Sequence, residues 1–128
     1  MPLTATVTPG QRHESTCFES VMEAARLAVQ TWPKWLAGDR GYSYPRIRRW
    51  LERHGIDAVI PKRVDQMARD GREPFDRDAY RRRNVVERCI GWLKECRRIA
   101  TRFDKLAISF LAMVKLAMIQ RYLRALAA

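Results

Sequence analysis

The stretch WLAGDRGYSYPRIRRWLERHGIDAVI, Trp35 to Ile60, decides the fold. Trp35-Leu36-Ala37 is a short apolar run closed by the glycine-bracketed turn Gly38-Asp39-Arg40-Gly41-Tyr42. Tyr44-Pro45 opens a helix, since proline is tolerated in a first helical turn, where its missing N–H would have had no partner. Ile47, Trp50 and Leu51 recur at helical spacing on one face, with Arg46, Arg48, Arg49 and Arg53 elsewhere on the circumference. Gly55 stops the helix, and Ile56 to Ile60 reads as a second strand closed by Pro61-Lys62-Arg63. Strand, helix and strand in this order predict an α/β domain with a small sheet. Asp39 then stands at the C-terminal edge of a strand, where α/β folds commonly build their sites.

Upstream, Leu3 to Thr8 alternates and is rich in Thr and Val, which predicts a strand broken by Pro9-Gly10. From Ser15, the series Phe18, Val21, Met22, Ala25 and Val29 predicts an amphipathic helix, with Ser15 or Thr16 as its cap and Pro33 beyond its end. Downstream, Val64 to Pro74 shows no periodicity and reads as a mobile basic loop. Asp76 or Asp78 starts a long helix to about Ile99, and Leu106 to Leu123 forms the last one. That last segment is apolar around most of its circumference. Burial of Leu106, Phe110, Val114 and Met118 against a sheet is one use of it, and a dimer seam is the other.

The chain has 128 residues, with 25 Lys+Arg against 14 Asp+Glu, a formal charge of +11. The length excludes a multidomain enzyme, and 47% hydrophobic residues exclude a disordered basic tail. The charge argues for a polyanionic partner, nucleic acid first, because cations that neutralise phosphates release counterions. Cys17, Cys89 and Cys96 form an odd set without a C-x-x-C pair, and His13 and His54 are the only histidines, so neither a disulfide framework nor a zinc site is expected. The start MPLTATVTPG lacks the charged and apolar regions of a signal peptide, and Leu106 to Ile119 is interrupted by Ser109 and Lys115. A cytoplasmic protein with no membrane partner is expected.

On the predicted long helix, Tyr80, Arg83, Glu87, Gly91, Lys94 and Arg98 fall within an arc of about 80° at 100° per residue. Val85, Val86, Cys89, Ile90, Leu93, Cys96 and Ala100 form an apolar band adjacent to that stripe. A solvated face with weak ion pairs would account for the polar stripe. Gly91 beside Glu87, however, leaves room for close approach, and the flanking cations suit phosphates, Arg gripping two oxygens at once and Lys acting as a point charge. The runs Arg81-Arg82-Arg83 and Arg97-Arg98, with Arg102, favour DNA contact over a merely solubilising role. For Trp32, Trp35, Trp50 and Trp92 packing is the expectation, with base stacking as the alternative, and Trp92 is placed against the last helix. His13 is assigned a loop role and Cys89 and Cys96 a place among inert core thiols.

YRRRNVVERCIGWLK, Tyr80 to Lys94, carries Tyr-x2-Arg-x3-Glu-x6-Lys and so resembles the signature around the catalytic glutamate of DDE transposases of bacterial insertion sequences. The surrounding FDRDAYRRRNVVERCIGWLKECRRIATRFDKLA, together with TPGQRHES (Thr8 to Ser15) and GDRGYS (Gly38 to Ser43), is similar to the insertion-sequence-five family. This resemblance implies a ribonuclease-H-like core whose Asp-Asp-Glu triad holds two divalent metals, magnesium or manganese. It makes Asp39 the second aspartate and Glu87 the glutamate, as catalytic and metal-binding residues 87 − 39 = 48 positions apart. It also implies that Tyr80, Arg83 and Lys94, with Arg98 beside them, grip the double-stranded DNA of the transposon ends. Full-length transposase or a second copy of the chain is the further partner it suggests.

The family's first aspartate lies at the end of the first core strand, and no Asp precedes Asp39 here. The expectation is therefore a partial DDE catalytic domain over residues 1–128, truncated at the N-terminus and inactive alone. Glu14 as a substitute ligand is the lesser option. The alternative is a catalytically inactive DNA-binding remnant that competes with intact transposase or joins it.

Overall fold

Two short strands, β1 (Trp35–Ala37) and β2 (Asp57–Val59), pair in parallel, with Trp35 opposite Asp57, Leu36 opposite Ala58 and Ala37 opposite Val59. A parallel pair needs a crossover, and α2 (Pro45–Arg53) supplies it, with Pro45 in its first turn as the sequence required. The computed structural model describes residues 1–71, 74–102 and 105–128. The chain divides into two compact units, Val29–Asn84 and the pair of segments Met1–Ala28 and Val85–Ala128.

In the unit Val29–Asn84 the core lies where the sequence places it. Ile47 and Leu51 are fully buried, Trp50 lies beside them on the same face, and Ile56, Val59 and Ile60 close the strand side. Each such aliphatic side chain contributes about 1.5–3 kcal/mol when fully withdrawn from water. Gly55, with φ of +65°, ends α2 in a left-handed conformation that glycine adopts without strain. Trp32, Trp50 and His54 cluster, with His54 stacked on Trp50 at 3.8 Å between ring centroids.

The segment expected to be a basic loop instead forms α3 (Val64–Asp70). Its N-terminus is closed by Gln66, whose side-chain oxygen accepts the Arg63 N–H at 3.0 Å, and Gly71 ends it at φ of +76°. With Arg63 at the cap position the usual Ser, Thr, Asp or Asn signal is missing. Arg72 and Glu73, also within the expected loop, lie outside the described residues.

In the other unit a 3-10 turn (Glu14–Cys17) leads into α1 (Phe18–Val29), which buries Phe18 and Met22. Leu3 to Thr8 forms no strand. An alternating pattern becomes a strand only when its backbone finds a partner, and among the described residues the sheet contains β1 and β2 alone.

The single long helix expected from Asp76 to Ile99 is three helices, α4 (Arg77–Arg81), α5 (Asn84–Glu95) and α6 (Arg97–Thr101). The first break falls at Arg82–Arg83, within three consecutive arginines whose like charges crowd the turn before Asn84, a poor helix former. There the Arg83 N–H bonds back to the Tyr80 carbonyl at 3.0 Å, a tighter closure than an α-helix makes. At the second break Cys96 is extended and its carbonyl receives the N–H groups of Ile99 and Ala100.

The last helix, α7 (Ala107–Leu126), matches the sequence reading but buries only Val114 and Met118. Phe110 is half-buried and Leu106 is 69% exposed, against the expected burial of all four. The apolar band of α5 is likewise incompletely covered, with Val85, Val86 and Ile90 exposed and Cys89 and Leu93 half-buried. Trp92 does pack on α7, its ring lying 3.6 Å from the Arg121 guanidinium. Among the described residues no helix is long and apolar enough to cross a membrane.

Candidate functional site

Asp39 caps the 3-10 turn Arg40–Tyr42 that follows β1. Its Oδ1 accepts the Gly41 N–H at 2.8 Å and its carbonyl accepts the Tyr42 N–H at 3.1 Å, so the turn orients the acid through its own backbone. A Cβ at Gly41 would stand 2.8 Å from that same Oδ1, so a larger residue there would make the carboxylate rotate away. The carboxylate is exposed.

Around Asp39 lies an open cavity of about 890 Å³, lined among others by Arg40, Arg48, Lys62, Arg77 and Tyr80. One acid among four cations suits a phosphate chain, with the cations holding its oxygens and the acid left to attract a cation of its own. Phe75 also lines the cavity, 5.3 Å from the Tyr80 ring, and the Arg83 guanidinium lies 5.5 Å over the other ring neighbour, Tyr80 itself. The structure thus brings Asp39 and Tyr80 to one cavity and sets Arg83 against Tyr80.

Glu87 and Lys94 belong to the second unit, on α5, where both are exposed and share a face with Gly91 by helical spacing. A Cβ at Gly91 would meet nothing within 4 Å, so that face is open. Arg98 is exposed on α6, beyond the break at Cys96. The six-residue stripe therefore does not run along one helix. Tyr80 and Arg83 precede α5, Arg98 follows it, and only Glu87, Gly91 and Lys94 keep the expected spacing on a continuous helix.

Magnesium and manganese favour oxygen donors, and the Asp39 and Glu87 carboxylates are of that kind. The donor chemistry fits such an ion, although among the described residues no group of three or more His, Cys, Asp or Glu could hold one. His13 has the expected loop role, its Nδ1 accepting the Ser15 N–H at 3.2 Å and lying 2.8 Å from the Ser15 hydroxyl. Cys89 and Cys96 are half-exposed rather than core thiols and line a cavity of about 330 Å³ with Trp92 and Arg121.

Sequence reasoning missed Arg40, Arg48, Lys62, Phe75 and Arg77 as a set, because the fold gathers them from both sides of α2 and α3. For Arg40 and Lys62 the available signal was a cation shortly after each strand.

The family model for the transposase DDE domain matches residues 1–120. No curated protein and no solved structure matches the chain. A match over nearly all of the sequence, including both the Asp39 turn and the Tyr80 to Lys94 signature, shows that the chain belongs to the transposase DDE domain family, whose members act on DNA and generally use divalent metal ions.

Proposed function

We propose that the chain serves in the transposition of a bacterial insertion sequence of the insertion-sequence-five type, by metal-dependent phosphoryl transfer on DNA. Residues 1–128 belong to a ribonuclease-H-like DDE catalytic domain in this reading, and the protein works in the cytoplasm. Asp39 and Glu87 are the oxygen ligands of magnesium or manganese. The bound ion stabilises the charged oxygens of an in-line displacement at phosphorus. Tyr80, Arg83, Lys94 and Arg98 hold the backbone of transposon-end DNA, and full-length transposase or a second copy of the chain is the protein partner.

The observation that carries this reading is the exposed Asp39 carboxylate in a cation-lined cavity shared with Tyr80, the first residue of the signature that also contains Glu87. The acid holds no phosphate, so its place among the cations fits a metal-binding task.

A second reading, a catalytically inactive DNA-binding protein that competes with intact transposase or joins it, is favoured by one specific observation. Among the described residues no group of three or more His, Cys, Asp or Glu could hold a metal ion. Purified chain mixed with matched terminal-repeat DNA in magnesium separates the two. Strand cleavage supports the first reading and removes the second; salt-sensitive binding without cleavage supports the second; absence of DNA binding at moderate salt overturns both.

A further inference from the structure

The Asp39 turn is fastened at its far end by a residue on α3. Gln66 is 7% exposed, and both ends of its amide are engaged. Its Oε1 accepts the Ser43 hydroxyl at 2.7 Å and the Arg63 N–H at 3.0 Å, while its Nε2 donates to the Ser43 carbonyl at 2.7 Å. The orientation of the amide follows from its partners, because a carbonyl only accepts and a backbone N–H only donates.

Ser43 is fully buried and closes the turn that Asp39 opens, its N–H bonding to the Arg40 carbonyl at 3.1 Å. The Ser43 hydroxyl also accepts Arg48 Nη2 at 3.0 Å, and that nitrogen reaches the Ile60 carbonyl at 2.7 Å. Arg63 Nε donates to the Arg40 carbonyl at 3.3 Å. One end of the turn is thus tied to α2, to the residue after β2 and to the start of α3, and the other end presents the carboxylate.

We propose that Gln66 is a positioning residue for Asp39. Its side chain bonds to Ser43 and Arg63 rather than to the carboxylate, and so fixes the turn from which the acid projects. Buried amides satisfied at both ends are costly to disrupt, and groups that orient a metal-binding carboxylate typically matter about 10–100-fold in metal affinity. This inference rests on the reading of Asp39 as an oxygen ligand.

The test uses the full chain and two readouts, backbone amide exchange and manganese titration followed by electron paramagnetic resonance. In Gln66→Met, of similar length and without polar atoms, the Gly41 and Tyr42 amides should exchange at least about tenfold faster and manganese half-saturation should rise about tenfold. The Leu51 amide in α2 should keep its protection. Gln66→Glu retains the acceptor for Ser43 and Arg63 but cannot donate to the Ser43 carbonyl, and should fall between the two. Unchanged turn exchange in Gln66→Met overturns the proposal. So does an equal loss of protection at Leu51, which would make Gln66 a packing residue. Asp39→Asn separates the two layers of the argument: if it leaves manganese binding unaltered, or if the parent binds no manganese, the ligand reading of Asp39 fails, and exchange at Gly41 and Tyr42 still decides for or against the clamp.

Discussion

The two units solve the burial problem differently. In Val29–Asn84 the strands and the helix that joins them cover one another, and Ile47, Leu51 and Ile60 are at most 2% exposed. In the other unit α5 buries no residue, and α7, much longer, buries two. A core assembled from sequence neighbours closes by itself, whereas amphipathic helices need a facing surface for every apolar residue they carry. The difference gives the two acids distinct settings. Asp39 is held by a tightly bonded turn within a closed core, and Glu87 stands on a helix whose own apolar side is incompletely covered.

The largest expected effect bears on those acids. Asp39→Asn and Glu87→Gln should each lower metal-dependent strand cleavage by about a hundredfold or more, the scale of losing one preorganised electrostatic contact. DNA affinity should be unchanged or higher, since an anion is removed near the phosphate path. A cleavage assay paired with a binding isotherm checks both, and a variant that keeps full cleavage removes its acid from the chemistry.

Stability comes next. Leu51→Ala should cost about 2–5 kcal/mol in urea unfolding, while Ile90→Ala, at a site already 45% exposed, should cost less than about 1 kcal/mol. Equal costs would erase the contrast between the units. Smaller still, Arg83→Ala and Lys94→Ala should each weaken DNA binding uniformly across sequences and flatten its salt dependence by about one counterion. Arg83 belongs to the closed unit and Lys94 to the open one, so a loss confined to one of them shows which unit carries the phosphate contacts.

The smallest effect is at Gly91. With open space around a new Cβ, Gly91→Ala should stabilise α5 by about 0.4–1 kcal/mol. If thermal stability rises and DNA affinity falls, the bare backbone there is a contact surface; if affinity holds, the glycine is incidental to binding.

Much of the closed unit was legible because its rules are local. Ile47, Trp50 and Leu51 are spaced for one helical face, Pro45 and Gly55 mark its ends, and the flanking apolar runs became β1 and β2. What escaped depends on distant contacts. The α3 helix is held by Gln66, whose partner Ser43 lies 23 residues away, and no propensity within Val64–Asp70 reports that bond. Leu3 to Thr8 has the pattern of a strand without a ladder to join. For the site, the spacing from Tyr80 to Lys94 was visible in the sequence, but the helical projection assumed an unbroken axis, and the breaks at Arg82–Arg83 and Cys96 moved Tyr80 and Arg98 off it.

Gly41 has a consequence for the aim of the neighbouring acid. A methyl group at this position would collide with the acid that the turn presents, so enlarging residue 41 swings Asp39 aside even while its charge survives. A larger residue 41 would therefore change the direction in which the exposed carboxylate points without changing its charge, so the identity of residue 41 tunes the aim of the acid at 39.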